Sequence, residues 1–217
     1  MEVNACLFDL DGVLVDSEPI STEASDIVLA EVGIRLSEDE RKEVFGKRTI
    51  DNYRRHIARR GLDLDAGELV EKKNVVFARL IRGRLEALPG VLDLLAGLDD
   101  AGVSKAVVSS SPLDRVNASL EEVGLILEFD LVLSGDCCVK GKPDPEPFLL
   151  AAERLGVEAS GCVVIEDAEA GVLAAKSAGM KCVAVKSPNT FGQDLSKADL
   201  IVESLADLSV ESLEKLF

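Results

Sequence analysis

Six short apolar runs alternate with segments of helical periodicity, and this alternation limits the possible fold more than any other feature of the sequence. Short apolar runs are typical of buried strands, and helical segments between them are typical of the crossovers that join parallel strands. We therefore predict an α/β fold, a doubly wound parallel sheet with a Rossmann-like core. The predicted strands are residues 5–8, 106–108, 131–133, 162–165, 182–185 and 200–202.

One connection in this pattern is far too long for a crossover. Residues 9–105 separate the first two predicted strands, whereas connections in compact domains are much shorter. Within this span, residues 18–83 carry apolar residues at helical spacing and no strand pattern. We therefore predict an α/β core formed by residues 1–16 and 84–217. Residues 17–83 are predicted to be an all-helical cap domain, inserted after strand one and folded over the carboxyl ends of the strands.

Local signals predict where several helices begin and end. Gly33 is the expected C-terminal cap of the first helix of the cap domain. Ser37 and Glu40 have the spacing of a capping box. Ser111 and Asp144, each followed by proline, are predicted N-caps of two helices in the α/β core.

Charge and composition exclude several classes of partner. The formal net charge of −16 argues against a nucleic-acid-binding surface, which requires a basic patch. This charge does not exclude a phosphate substrate, because a metal ion or a few cations can reverse the field locally. No apolar stretch is long enough to span a membrane, and the first residues lack the pattern of a signal peptide. We expect a monomer or a dimer without nucleic-acid or membrane partners.

The cysteines indicate a reducing compartment. They show no CxxC spacing, and three of them lie in apolar strand-like runs, where a free thiol acts as a small hydrophobe. We therefore expect reduced thiols in a cytoplasmic protein. The five cysteines are Cys6, Cys137, Cys138, Cys162 and Cys182.

Polar side chains follow four of the predicted strands at the points where those strands end. In open α/β sheets, ligands bind just beyond the carboxyl ends of the strands. Each residue alone has an ordinary structural explanation, such as capping a turn or lying in solvent. Their coincidence at one sheet edge favours a functional site, and they are Asp9 and Asp11 with Gly12, Ser109, Lys142, and Glu166 with Asp167.

These residue types suit phosphoryl transfer. A carboxylate can attack phosphorus and form an aspartyl-phosphate, and a second carboxylic acid can protonate the leaving oxygen and later deprotonate water. A lysine, a hydroxyl and Mg²⁺ can neutralise the charge of the transferring group. Paired carboxylates such as Asp9 and Asp11 are costly without a cation, and Mg²⁺ suits one or two carboxylates completed by water and phosphate oxygens.

Other mechanisms lack the residues that they require. His56 is the only histidine, and its place in the basic run 54–56 predicts a solvated side chain. A Ser-His-Asp triad and a histidine-rich zinc site are therefore excluded as interpretations. Gly135 and Lys142 resemble a P-loop only superficially, because the spacing is one residue too long and Pro143 replaces the required Ser or Thr.

Taken together, the motifs resemble the haloacid dehalogenase superfamily, in the branch with a helical cap inserted after strand one. The resemblance covers essentially the whole chain. The matching motifs are residues 8–13 (FDLDGV), 108–111 (VSSS), 141–145 (GKPDP) and 165–167 (IED) with Gly171.

The resemblance implies a role for each motif residue, and Mg²⁺ as the cofactor. Asp9 would be the nucleophile and Asp11 the general acid/base. The phosphoryl group would be held by Ser109, Ser110 and Lys142. The implied Mg²⁺ ligands are Asp9, the backbone carbonyl of Asp11, Glu166 and Asp167, and the implied substrate-contacting loop of the cap is Gly46, Lys47 and Arg48.

Several functions exist within and near this superfamily. Its dehalogenases and phosphonate hydrolases lack the second aspartate of the first motif, so Asp11 favours phosphate monoesters. We expect a phosphatase acting on a sugar phosphate or a related metabolite. The alternative is a phosphomutase, although β-phosphoglucomutase carries a histidine where this chain has Ser21. A remote, non-enzymatic alternative is a phospho-receiver domain, which shares the acidic pair and the lysine but has no helical insertion.

Overall fold

The predicted alternation of strands and helices produces one parallel sheet. The computed structural model describes residues 3–44, 49–187 and 192–217. Its six strands are all parallel and lie in the order β3-β2-β1-β4-β5-β6, which confirms the doubly wound α/β fold. The strands are β1 (Ala5–Phe8), β2 (Ser104–Val108), β3 (Leu131–Leu133), β4 (Cys162–Glu166), β5 (Lys181–Val185) and β6 (Leu200–Val202).

The chain divides into two compact units, and each contains helices. The α/β unit runs to Asp16 and resumes at Leu85, and the helical unit is Ser17–Arg84. The helices of the helical unit are α1 (Glu18–Glu31), α2 (Glu38–Val44), α3 (Thr49–Arg59) and α4 (Ala66–Leu80). Those of the α/β unit are α5 (Val91–Asp100), α6 (Leu113–Glu122), α7 (Glu146–Leu155), α8 (Glu169–Ser177) and α9 (Val210–Glu214).

Strand β1 is the middle of the sheet. All four of its residues are fully buried, which explains their continuous apolar pattern. Leu7 pairs with Ala106 of β2 on one side and with Val164 of β4 on the other. The carboxyl ends of β2, β1 and β4 therefore meet at one edge.

The chain leaves the α/β unit and re-enters it at neighbouring points of that unit. Val15 forms an antiparallel bridge with Ala87. The N–H of Leu88 also donates a hydrogen bond to the carbonyl of Leu14 at 2.9 Å. The outgoing and returning segments thus lie side by side.

The predicted signals of the helical unit are confirmed. Gly33 has a φ of 75°, the left-handed conformation expected after a helix, and follows Val32, the C-cap residue of α1. Ser37 and Glu40 form the capping box: the N–H of Ser37 donates to Glu40 Oε2 at 3.0 Å, and the N–H of Glu40 donates to Ser37 Oγ at 3.2 Å. No helix in the described residues has the length and apolar character needed to cross a membrane.

His56 corrects one expectation. Its side chain is buried rather than solvated, with 1% exposed, and belongs to the same face of α3 as the buried Tyr53 and Ile57. Its Nδ1 lies 3.7 Å from Glu40 Oε1. The basic residues 54 and 55 favour an exposed position for His56 in the sequence. However, His56 follows Tyr53 by three residues, a spacing that places both side chains on one helix face.

Two predicted N-caps differ from the structure. Helix α6 begins after Pro112, so Ser111 does not cap it, and Asp136 Oδ2 accepts the hydrogen bond of the Leu113 N–H at 2.9 Å instead. For α7 the N-cap position is Pro145, one residue later than expected. Asp144 nonetheless accepts a hydrogen bond from the N–H of Glu146 at 3.1 Å.

Candidate active site

Strand β1 delivers two aspartates to the sheet edge. The N–H of Asp9 continues the ladder by donating to the carbonyl of Ile165 at 2.9 Å, so Asp9 is fixed as the first residue beyond β1. The chain then turns at Gly12, whose φ of 89° favours glycine. A Cβ atom at Gly12 would lie 2.0 Å from Asp167 Oδ2, so the absence of a side chain there allows the Asp167 carboxylate to approach the turn.

Lys142 connects the aspartate of β1 with the glutamate of β4. Its Nζ donates to Asp9 Oδ1 at 2.5 Å, to Glu166 Oε1 at 2.6 Å and to the carbonyl of Val108 at 2.8 Å. An ammonium group has three N–H donors, and these acceptors lie just beyond β1, at the end of β4 and at the end of β2. The Lys142 side chain is only 6% exposed. The position of the ammonium is therefore fixed by three different strands.

Glu166 holds Lys142 through one oxygen and the following loop through the other. Its Oε2 accepts hydrogen bonds from the N–H groups of Asp167 at 3.0 Å and of Ala168 at 3.1 Å. A Cβ atom at Gly171 of α8 would lie 1.9 Å from the Glu166 carboxylate, so a glycine at this point makes room for that carboxylate. The metal-ligand role that the resemblance implies for Glu166 stays a prediction.

The serines after β2 occupy distinct environments. Ser109 is buried, its N–H donates to the carbonyl of Leu133 at 2.9 Å, and its Oγ accepts from the N–H of Ser111 at 3.1 Å. Ser110 is exposed. Gly135 lies close to the backbone of Ser110. A Cβ atom added at Gly135 would lie 2.5 Å from the Ser110 carbonyl oxygen.

Burial and mutual repulsion perturb the carboxylates of this site. Burial raises the pKa of Asp9 to about 7; Lys142 opposes this shift, while Glu166 and Asp11 add to it. Burial, followed by Glu166 and Asp9, raises the pKa of Asp167 to about 9. For Lys142, burial disfavours the charged form, but the Asp9 and Glu166 carboxylates outweigh burial and raise its pKa above the ordinary value. These carboxylates therefore resist ionising together unless a further cation is present.

A divalent cation would relieve this repulsion between the carboxylates. In the described part of the chain, no group of three or more His, Cys, Asp or Glu side chains is arranged to hold a metal ion by itself. Mg²⁺ does not require such a group, because it uses one or two carboxylates and completes its shell with water and phosphate oxygens. Asp9 and Asp167, together with the backbone carbonyl of Asp11, provide oxygen donors of the kind that Mg²⁺ prefers.

Two residues that contact Asp11 were not among the predicted site residues. Ser111 Oγ donates to Asp11 Oδ2 at 2.9 Å, and the Arg115 guanidinium donates to Asp11 Oδ1 at 3.1 Å. Arg115 lies in the first turn of α6, where an acidic residue is the more common choice. For Arg115, this unfavourable position is the signal that the sequence offers, whereas Ser111 belongs to the motif of residues 108–111. The predicted cap-loop residues Gly46, Lys47 and Arg48 lie outside the described residues.

The doubly wound sheet, with a carboxylate–lysine cluster at its strand ends, is typical of an α/β enzyme. More specifically, the chain belongs to the haloacid dehalogenase-like hydrolases, whose family model matches residues 3–179. This membership confirms the resemblance noted from the motifs and disfavours a non-enzymatic receiver domain.

Known proteins of this kind align over nearly the whole chain. Hexitol phosphatase A of Escherichia coli is 33% identical over 97% of this chain and 95% of its own. The crystal structure of β-phosphoglucomutase from Clostridium difficile superposes with a TM-score of 0.84 at 28% identity, covering 99% of this chain and 96% of that one.

A third relative is much longer. Protein SUPPRESSOR OF QUENCHING 1, chloroplastic, of Arabidopsis thaliana is 35% identical over 98% of this chain, which spans only 21% of that protein. The region shared with the Arabidopsis protein is therefore about one fifth of its length.

Proposed function

We propose that this chain is a Mg²⁺-dependent phosphatase that hydrolyses a small phosphate monoester through an aspartyl-phosphate on Asp9. The observation that carries this proposal is the contact of Lys142 Nζ with Asp9 Oδ1 at 2.5 Å, beside Asp11 and at the end of the central strand. A carboxylate held next to a fixed cation is suited to attack an anionic phosphoryl group, because the cation offsets the repulsion between the two.

The substrate class is a sugar phosphate or a related metabolite. Relatives named as hexitol phosphatase A and as phosphorylated carbohydrates phosphatase, the latter from Thermotoga maritima at 31% identity, support this choice. In our proposal, Gly46, Lys47 and Arg48 contact the part of the substrate that distinguishes one ester from another.

In the first half-reaction, an Asp9 carboxylate oxygen forms a bond to phosphorus as the bond from phosphorus to the ester oxygen breaks. The leaving oxygen takes its proton from Asp11, so the product is a neutral alcohol. Lys142 and the Ser109 hydroxyl stabilise the charge on the phosphoryl oxygens that do not react.

In the second half-reaction, water attacks the phosphorus of the aspartyl-phosphate. Asp11, now a carboxylate, takes the proton of that water, and the bond from phosphorus to Asp9 breaks to release inorganic phosphate. The proton from water replaces the one that Asp11 gave to the leaving group, so the cycle closes without another acid or base.

The metal ligands in this proposal are Asp9, the backbone carbonyl of Asp11, and Asp167. When bound, Mg²⁺ supplies positive charge to the phosphoryl oxygens. Glu166 is assigned to Lys142, because Oε1 contacts Lys142 and Oε2 accepts two backbone hydrogen bonds.

A phosphomutase is the second candidate, because β-phosphoglucomutase of Bacillus subtilis is 31% identical over 98% of this chain. A mutase must exclude water from the aspartyl-phosphate and present a sugar hydroxyl instead. Ser21 stands where the mutase carries a histidine. Ser21 lies in α1 and is buried. The exchange of histidine for serine favours water as the second nucleophile.

The decisive experiment follows the fate of the phosphoryl group. The protein is incubated with Mg²⁺ and a panel of phosphorylated hexoses, hexitols and pentoses in ¹⁸O-labelled water. We expect labelled inorganic phosphate from wild type and from Asp93→Asn, an exposed acid on α5 that serves as the matched control. We expect no turnover by Asp9→Asn, since an amide cannot attack phosphorus.

Two outcomes contradict this proposal. Activity of Asp9→Asn close to that of wild type would exclude the aspartyl-phosphate. With β-glucose 1-phosphate and a trace of the 1,6-bisphosphate, rapid formation of glucose 6-phosphate with negligible phosphate release would identify a mutase.

A further inference from the structure

Arg115 is placed where a helix disfavours it. It occupies the third position of α6, and the positive end of the helix dipole makes a cation in the first turn unfavourable by about 0.3–1 kcal/mol. Its side chain is also 10% exposed, and burying a guanidinium is costly unless it is paired. Two unfavourable terms at one residue indicate a compensating contact.

That contact is the Asp11 carboxylate. The guanidinium lies 3.1 Å from Asp11 Oδ1, while Ser111 Oγ donates to Asp11 Oδ2 at 2.9 Å. A donor on each oxygen restricts rotation of the carboxylate, which a single donor would not. When Asp11 is protonated, its O–H can donate to the ester oxygen of a substrate.

The positions of both donors are fixed by the α/β unit itself. Ser111 follows β2, and its N–H donates to Ser109 Oγ at 3.1 Å. The start of α6 is tied to the loop after β3, because Asp136 Oδ2 accepts from the N–H of Leu113 at 2.9 Å. The orientation of Asp11 is therefore linked to two loops that begin at neighbouring strands.

From this geometry we infer that Arg115 is a positioning residue, which holds the general acid/base Asp11 in the orientation from which it protonates the leaving oxygen. Ser111 acts with it on the other oxygen. The inference rests on the proposed function, in which Asp11 is the proton donor. It assigns Arg115 no direct contact with the phosphoryl group.

The leaving group provides a readout that a purely structural role would not move. Phenyl phosphate releases a phenol with a pKa of about 10, like a tyrosine side chain, and so depends on a proton donor. The leaving group of 4-nitrophenyl phosphate is a stronger acid of nearly the same shape and depends on that donor much less. The ratio of kcat/KM for the two esters therefore measures how well Asp11 delivers its proton.

The experiment compares both esters, with Mg²⁺, in wild type, Arg115→Ala, Ser111→Ala, Asp11→Asn and the double variant Asp11→Asn/Arg115→Ala. Lys176→Ala, which breaks the ion pair between Lys176 and Asp199 elsewhere in the α/β unit, is the matched control. Thermal melting reports whether each variant is folded. If Arg115→Ala does not fold, Ser111→Ala provides the same test.

We expect Arg115→Ala to lower kcat/KM more than tenfold with phenyl phosphate and less than about threefold with 4-nitrophenyl phosphate, because acid catalysis is worth about 10²–10⁴-fold. Ser111→Ala should change the ratio in the same direction, and Lys176→Ala should leave it unchanged. The double variant should equal Asp11→Asn, since Arg115 acts through Asp11.

The experiment distinguishes a failure of the inference about Arg115 from a failure of the proposed role of Asp11. Equal losses with both esters, or a further loss when Arg115→Ala is added to Asp11→Asn, would overturn the inference and assign Arg115 to the phosphoryl group or to folding. If instead Asp11→Asn itself leaves the ratio unchanged, the proposed role of Asp11 is wrong.

Discussion

Gly171 offers a test in which helix propensity and the site predict opposite results. Gly171 lies within α8 with a helical backbone, so Gly171→Ala should stabilise the protein by roughly 0.5–1 kcal/mol if nothing else changed. The new Cβ atom would, however, lie 1.9 Å from the carboxylate of Glu166. The carboxylate would have to move by about 1.5–2 Å to reach an ordinary contact distance.

The magnitude follows from the contacts that this movement disrupts. Glu166 is buried and makes a 2.6 Å contact with Lys142 as well as two backbone hydrogen bonds. Breaking a buried ion pair costs about 3–5 kcal/mol, which exceeds the propensity gain and leaves a net loss of about 2–4 kcal/mol. For a protein of this size, the loss corresponds to a melting temperature lower by about 5–15 °C.

The same movement should reduce activity, since Glu166 helps to fix the ammonium that contacts Asp9. A displacement of this size at a positioned group lowers kcat by on the order of 10–100-fold. The assay pairs calorimetric melting with turnover of 4-nitrophenyl phosphate. The control is Gly97→Ala in α5, where the new Cβ atom would meet only Val210 Cγ2 at 3.6 Å. If Gly171→Ala is as stable and active as Gly97→Ala, the described placement of Glu166 is wrong.

Three further predictions address the metal, the cap loop and the buried histidine. EDTA should abolish turnover and Mg²⁺ restore it, with Ca²⁺ a poor substitute because its coordination is looser; full activity in EDTA would contradict the metal site. Lys47→Ala and Arg48→Ala should raise KM for a sugar phosphate more than for 4-nitrophenyl phosphate, and equal changes would deny these residues a role in selection. Burial lowers the pKa of His56 below its unfolded value of about 6.5, so the folded state binds fewer protons, and stability is lost as the pH falls below that value. Between pH 7.5 and pH 5, the free energy of unfolding measured in urea should therefore fall less for His56→Gln than for wild type. Equal decreases in the two proteins would refute this prediction.

The sheet and the grouping of its polar residues could be predicted because both follow from simple rules. Residues 5–8 are apolar throughout, since both faces of β1 are covered. Parallel strands bring their carboxyl ends to one edge, which is why Asp9, Lys142 and Glu166 could be expected near each other before their distances were known.

The remaining details depend on side-chain geometry that spacing does not encode. The two carboxylates of the fourth motif look alike in sequence, but the Glu166 side chain accepts from the N–H groups of residues 167 and 168 while Asp167 approaches Gly12. Arg115 lies on a helix rather than at a strand end, so its contact with Asp11 has no strand-end signal. Ser111 matches an N-cap pattern, yet its hydroxyl contacts Asp11 instead.

The bridge between Val15 and Ala87 bears on how proteins of this kind diversify. Because the chain leaves and re-enters the sheet-bearing unit at adjacent points, the intervening segment can lengthen, shorten or be exchanged with little effect on strand register. Loop-closure entropy changes only slowly with the length of such a segment. Under the proposed function, mutation or recombination within residues 17–84 would change substrate preference while Asp9, Asp11 and Lys142 are inherited unchanged.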